Sequence, residues 1–127
     1  MKLNLIQTEK APAAVGPYSQ GVRVDELVFT SGQLSFVPET GELIIDDIQK
    51  ATRQALENLK AVLEEGGASL ETVIKVTVFV KNMENFSLIN EVYSEYFVNH
   101  KPARSLVEVA RLPKDGVIEI EAIALKK

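Results

Sequence analysis

The sequence predicts a two-layer α+β domain, with a six-stranded mixed sheet and two helices on one face. Three observations predict it. Apolar residues alternate in short runs toward both ends of the chain. Their spacing changes to a helical period twice in the middle. No linker-like stretch or internal repeat divides the 127 residues. A chain of this length buries roughly two-thirds of its unfolded surface, so residues 1–127 are expected to form a single domain.

Each element has its own signal. Residues 2–7 alternate loosely and predict a first, edge strand. Residues 11–18, Ala-Pro-Ala-Ala-Val-Gly-Pro-Tyr, hold too much Pro and Gly for regular structure and predict an ordered loop. Gly21–Val24 and residues 27–31 predict two short strands joined by a two-residue turn at Asp25-Glu26. Pro38-Glu39-Thr40-Gly41 is a turn, and the chain is expected to stay irregular to about Asp46. From Ile48 the residues Ala51, Ala55, Leu56, Leu59, Val62 and Leu63 form one helical stripe. Asp46 or Asp47 can cap its start, and Gly66-Gly67 can end it in the left-handed conformation.

Residues 72–80 are the clearest strand, with Ile74, Val76, Val78 and Val80 expected on one face and Lys75, Thr77 and Phe79 on the other. A second helix is expected over 85–97, with Phe86, Ile89, Tyr93 and Phe97 as its apolar side. Beyond Pro102, strands over 103–110 and 117–125 complete the order β-β-β-α-β-α-β-β.

Two helices cover only one face of such a sheet. Alternation assigns Val107, Val109, Ile118, Ile120, Ala122 and Ala124 to the covered face. It assigns Arg104, Leu106, Glu108, Glu119, Glu121 and Ile123 to the open one, with Lys75, Thr77 and Phe79. That open surface suits an oligomer interface with polar clefts, or an ordinary solvent face with stray apolar residues.

Composition narrows the function classes. With 18 acidic against 14 basic residues the net charge is −4, which opposes gripping nucleic acid through its phosphates. The absence of Cys removes disulfides, thiolate catalysis and Cys-ligated metals. No apolar run approaches the ~20 residues that span a bilayer, and the N-terminal residues do not resemble a secretory signal. A cytoplasmic protein is therefore expected. The single His100, just before Pro102, cannot form a two-His site and is expected at the surface.

The remaining chemistry lies in Arg, carboxylates, hydroxyls and backbone amides. Arg104 begins a strand and offers a fork matched to a carboxylate or phosphate, or else a salt bridge to Glu119, Glu121 or Glu108. Glu119 and Glu121 point the same way from an apolar strand. In a cleft such carboxylates can have raised pKa values and activate water; otherwise they are a solvated edge. Ser31-Gly32-Gln33 ends a strand where Gly lets a ligand approach the backbone, or is a plain turn. Tyr18 follows Gly16-Pro17 in a stiff loop, as a fixed hydroxyl or a packing anchor.

These same residues carry a family pattern. Residues 11–21 with Thr30-Ser31-Gly32-Gln33, Lys75-Val76-Thr77-Val78-Phe79-Val80, and Asn90-Glu91-Val92-Tyr93 resemble the first two-thirds of the RidA/YjgF family of reactive-intermediate deaminases. Pro102-Ala103-Arg104-Ser105, residues 107–113 and Ile118-Glu119-Ile120-Glu121-Ala122 resemble its C-terminal signature. The resemblance implies a chorismate-mutase-like fold in which the last strand inserts between the third and fourth. It also implies a homotrimer with ligand sites between subunits, and cofactor-free hydrolysis of 2-imino acids such as 2-iminobutanoate and 2-iminopropanoate to 2-oxo acids and ammonia. By position, Arg104 would hold the substrate carboxylate, helped by the Leu106 N–H and by Ser31 and Gly32. Glu119 would activate water, Tyr18 of a neighbouring chain would line the cleft, and Asn90 would lie nearby without chemistry of its own. Leu106 stands where many members carry Cys, and residues 99–101 form a shorter connection than in some. The ribonuclease activity attached to some relatives is opposed by the acidic balance and the solitary His100.

Overall fold

Six strands, β1 (Leu3–Ile6), β2 (Gly21–Val24), β3 (Leu27–Thr30), β4 (Val73–Val80), β5 (Ala103–Glu108) and β6 (Ile118–Leu125), form one mixed sheet. The helices α1 (Ile48–Glu65) and α2 (Phe86–Tyr96) lie on one of its faces. The computed structural model describes residues 2–127. Strand order is β1-β2-β3-β6-β4-β5, so the last strand does insert between the third and fourth. Only β4 and β5 run parallel, because the segment joining them contains α2 and can cross over the sheet.

Local chemistry sets the ends of these elements. Asp47 caps α1 by accepting from the N–H groups of Gln49 and Lys50 at 3.0 and 3.1 Å. Gly67, at φ +88°, supplies the left-handed residue beyond the helix, while Gly66 stays right-handed at φ −79°. Asp25 takes φ +52° in the β2–β3 turn, a conformation that Asp tolerates better than most residues. The core lies between sheet and helices, with Leu56, Leu59, Val62 and Leu63 of α1 against Val28, Val76, Val78, Ile118 and Ile120.

Two expectations about strand faces fail. Ile74 was expected in the core, but it is exposed and Val73 is buried in its stead. The β4–β6 register steps from Val73↔Ala124 to Lys75↔Ile123, an extra residue on β4 that shifts the alternation. The second failure is β5. Its in-register pairs Val76↔Arg104, Val78↔Leu106 and Val80↔Glu108 put Arg104, Leu106 and Glu108 on the helix side, and Val107 on the open side, where it is exposed. Val109 lies beyond the end of β5. His100, expected at the surface, is half-buried with Nε2 against the Val73 carbonyl. In α2, Val92 joins Ile89 in the core while Phe86 is exposed.

The open face is apolar along whole rows. Leu5, Val22, Phe29 and Ile123 succeed one another across four strands, and Leu3, Val24, Leu27 and Leu125 make a second row. Leu3 and Leu5 are 64% and 70% exposed. Among the described residues no helix is long and apolar enough to cross a membrane.

Candidate functional site

The expected site residues fall into two groups. Arg104, at the start of β5, turns toward α2. One Nη donates to the Asn90 side-chain Oδ1 at 2.8 Å, and Cζ lies over the Tyr93 ring, 4.6 Å from its centroid. The salt-bridge alternative fails: the ion pairs among the described residues are Arg53–Glu95 and Arg111–Asp115, and Glu108 instead accepts from the Met83 N–H. Arg104 thus keeps its full charge beside neutral partners. A groove of about 390 Å³ borders it, walled by Asn90, Tyr93, Phe97, Val98 and Pro102.

The Leu106 amide belongs to the same group. The Val109 N–H bonds to the Val80 carbonyl, so by the two-residue period the amides of Val107 and Ser105 also turn toward β4. Those of Leu106 and Arg104 then turn to the free edge of the sheet. A guanidinium and an unpaired edge N–H together suit an anion.

The second group is built where β3 leaves β6. Beyond Phe29↔Ile123 the ladder is interrupted, and the Thr30 hydroxyl takes the Ala122 N–H at 3.0 Å. Pairing resumes at Gln33↔Ile120. Gly32 lies in that gap under the Glu119 side chain. A Cβ there would come 2.7 Å from the Glu119 Cδ, so only glycine leaves room for the carboxylate. Burial, and after it repulsion from Glu121, push the Glu119 carboxyl above the ordinary carboxylate range. The Ser31 hydroxyl donates to the Ser19 carbonyl, which ties the preceding residue, Tyr18, to this end of β3. Tyr18 itself is half exposed.

Two residues beyond the expected set hold these groups in place. Gln20 is buried and stitches the 8–12 loop: its Oε1 accepts from the Thr8 N–H at 2.7 Å, and its Nε2 donates to the carbonyls of Thr8, Ala11 and Pro12 at 3.0, 3.3 and 2.7 Å. Tyr93, read from sequence as an apolar core residue, lies under the guanidinium. Its hydroxyl is buried without a hydrogen-bond partner, and burial pushes it up to about 12 against the weaker pull of the Arg104 charge. The Asn90-x-x-Tyr93 spacing was the available signal, since residues three apart on a helix share a face.

The two groups do not meet. Arg104 sits on the helix side of β5 and Glu119 on the open side of β6, with β4 between them. Strand insertion alone therefore does not let them share a small ligand. Among the described residues no cluster of His, Cys, Asp or Glu is arranged to hold a metal ion.

The fold and the sequence are similar to those of known proteins. A family model described as Endoribonuclease L-PSP matches residues 8–126. The chain belongs to the RidA/YjgF family. It is 54% identical over 127 residues to a RutC family protein of Pyrococcus abyssi, with 100% of both chains covered. It is 50% identical over 125 residues to the 2-iminobutanoate/2-iminopropanoate deaminase of Salmonella typhimurium, covering 96% of this chain and 97% of that one. The crystal structure of Escherichia coli TdcF with bound serine superposes at a TM-score of 0.93 and 48% identity, covering 98% and 99%.

Proposed function

We propose that the protein hydrolyses reactive 2-imino acids, such as 2-iminobutanoate and 2-iminopropanoate or their enamine tautomers, to 2-oxo acids and ammonia. The carrying observation is that Arg104 is held by neutral partners, with no carboxylate paired to it, at the border of a groove. The opposite-face arrangement of Arg104 and Glu119 makes the site composite, one copy supplying Arg104 and Leu106, a second supplying Glu119, Gly32, Ser31 and Tyr18. A homotrimer closed through the apolar rows of the open face satisfies that need.

The Arg104 fork and the Leu106 amide bind the substrate carboxylate and fix C2. Glu119 takes a proton from water as its oxygen attacks C2, and the nitrogen receives that proton, giving a carbinolamine. Glu119 then takes the carbinol hydroxyl proton and passes it to the nitrogen as the C–N bond breaks, so the C=O bond forms and ammonia leaves a 2-oxo acid. An imine already hydrolyses in water, so orientation and one base suffice, the base contributing typically ~10²–10⁴-fold. The raised proton affinity of Glu119 makes it a stronger base than an ordinary carboxylate. No metal, covalent nucleophile or cofactor enters these steps.

Threonine dehydratase supplies the imine, and release of 2-oxobutanoate measures its hydrolysis. The protein accelerates that release, and Arg104→Ala abolishes the acceleration; parent rates in Arg104→Ala would refute the role. The serine held in the TdcF structure favours a second reading, a non-catalytic trimer that binds small carboxylates. Calorimetric binding of 2-oxobutanoate without acceleration would select it. Either activity suits a cytoplasmic protein of amino-acid metabolism.

A further inference from the structure

Buried or half-buried arginines are commonly fixed by a carboxylate, and Arg104 is not. Its partners are neutral and come from one turn of α2: the Asn90 side-chain Oδ1 at 2.8 Å and the Tyr93 ring at 4.6 Å. Phe86 is farther off at 5.9 Å, and exposed. The Tyr93 ring itself packs against buried Phe97, with ring centroids 4.8 Å apart. Its hydroxyl is buried without a hydrogen-bond partner from the protein, so the contacts the structure gives Tyr93 are those of its ring.

Resting on the carboxylate-binding role given to Arg104 above, we propose that Tyr93 is a positioning residue whose ring face, with Asn90, holds the guanidinium without neutralising it. A carboxylate in that place would orient the fork but take up its charge and two of its donors. A π face attracts the cation through its quadrupole and engages it from above, leaving the in-plane N–H groups unused. Asn90 takes one of the five. The rest of the fork then meets a substrate carboxylate already oriented, and little side-chain entropy is lost on binding.

The test changes the ring's electrons while keeping its shape. Tyr93→Phe retains the π face, Tyr93→pentafluoro-Phe reverses its polarity at nearly equal size, and Tyr93→Leu removes it. Calorimetry with 2-oxobutanoate should give Tyr93→Phe the parent affinity. The fluorinated variant should bind roughly 5- to 30-fold more weakly and raise KM in proportion, with kcat little changed. Its melting temperature should match that of Tyr93→Phe, which a merely structural role would not predict. NMR relaxation of the Arg104 Nε–H, recorded without ligand, should report greater mobility in the fluorinated and Leu variants. Equal affinity and equal Arg104 mobility across the series overturn the proposal. Should Arg104 loosen as expected while the parent neither binds 2-oxobutanoate nor hydrolyses imines, Tyr93 keeps its positioning role and the proposed function falls.

Discussion

Gly32→Ala isolates the contribution of the Glu119 carboxylate more cleanly than removing that carboxylate does. The added methyl would lie 2.7 Å from Cδ and 2.9 Å from both Cγ and Oε2 of Glu119. Ordinary contact begins near 3.4 Å, so the carboxyl group must retreat by roughly 0.7 Å. Gly32 is not at positive φ, so the backbone accepts alanine, and the three atoms nearest the added methyl all belong to Glu119. Moving Glu119 off its rotamer costs about 0.5–1.5 kcal/mol, a modest loss of stability. The catalytic effect is larger, because misplacing a reacting group by about 1 Å costs ~10²-fold in rate. Imine hydrolysis in the dehydratase-coupled assay should therefore fall by about two orders of magnitude, while 2-oxobutanoate binding through Arg104 changes little. Repeating the substitution in a Glu119→Gln background should add almost nothing, since both changes act on one group. Parent rates in Gly32→Ala, or full additivity with Glu119→Gln, would refute the assignment of Glu119 as the base.

The raised pKa of Glu119 has consequences for pH. The folded chain holds that proton more tightly than the unfolded one, so its stability contribution is lost as pH rises from the ordinary carboxylate range through the raised value. Glu119→Gln should accordingly raise the melting temperature at pH 7 and leave it unchanged below that range; a lowered melting temperature at pH 7 would contradict the burial argument. In the parent, kcat/KM should climb with pH as Glu119 ionises, with the limb displaced above the ordinary carboxylate range. Gln20→Ala strands several loop groups and should cost about 2–4 kcal/mol in urea unfolding, with amide exchange accelerated near Thr8. An unchanged midpoint would show that the loop bearing Tyr18 is held by other contacts.

Most of the fold was legible because its signals are local. The α1 stripe, the Asp47 cap, the glycine stop and the β2–β3 turn each depend on residues a few positions apart. The site was legible by residue but not by grouping. In β5, Leu106 and Val107 are adjacent apolar residues on opposite faces, so the strand's pattern has no phase of its own, and the Val107/Val109 alternation suggested the wrong one. An edge strand is half-solvated, and burial does not discipline its pattern as it does that of β4 or β6. The β4 bulge was equally hidden, since Ile74 and Val73 suit the core alike.

The order of amino acids by itself determined which segments become strands and helices, where they stop, and which side chains are equipped to hold an acid or move a proton. Short-range spacing and conformational preference suffice for that. Tertiary structure alone decided that Arg104 faces Asn90 and Tyr93 rather than Glu119, and that Glu119 rests on Gly32. Those outcomes depend on strand register and on β6 lying between β3 and β4, pairings between residues tens of positions apart.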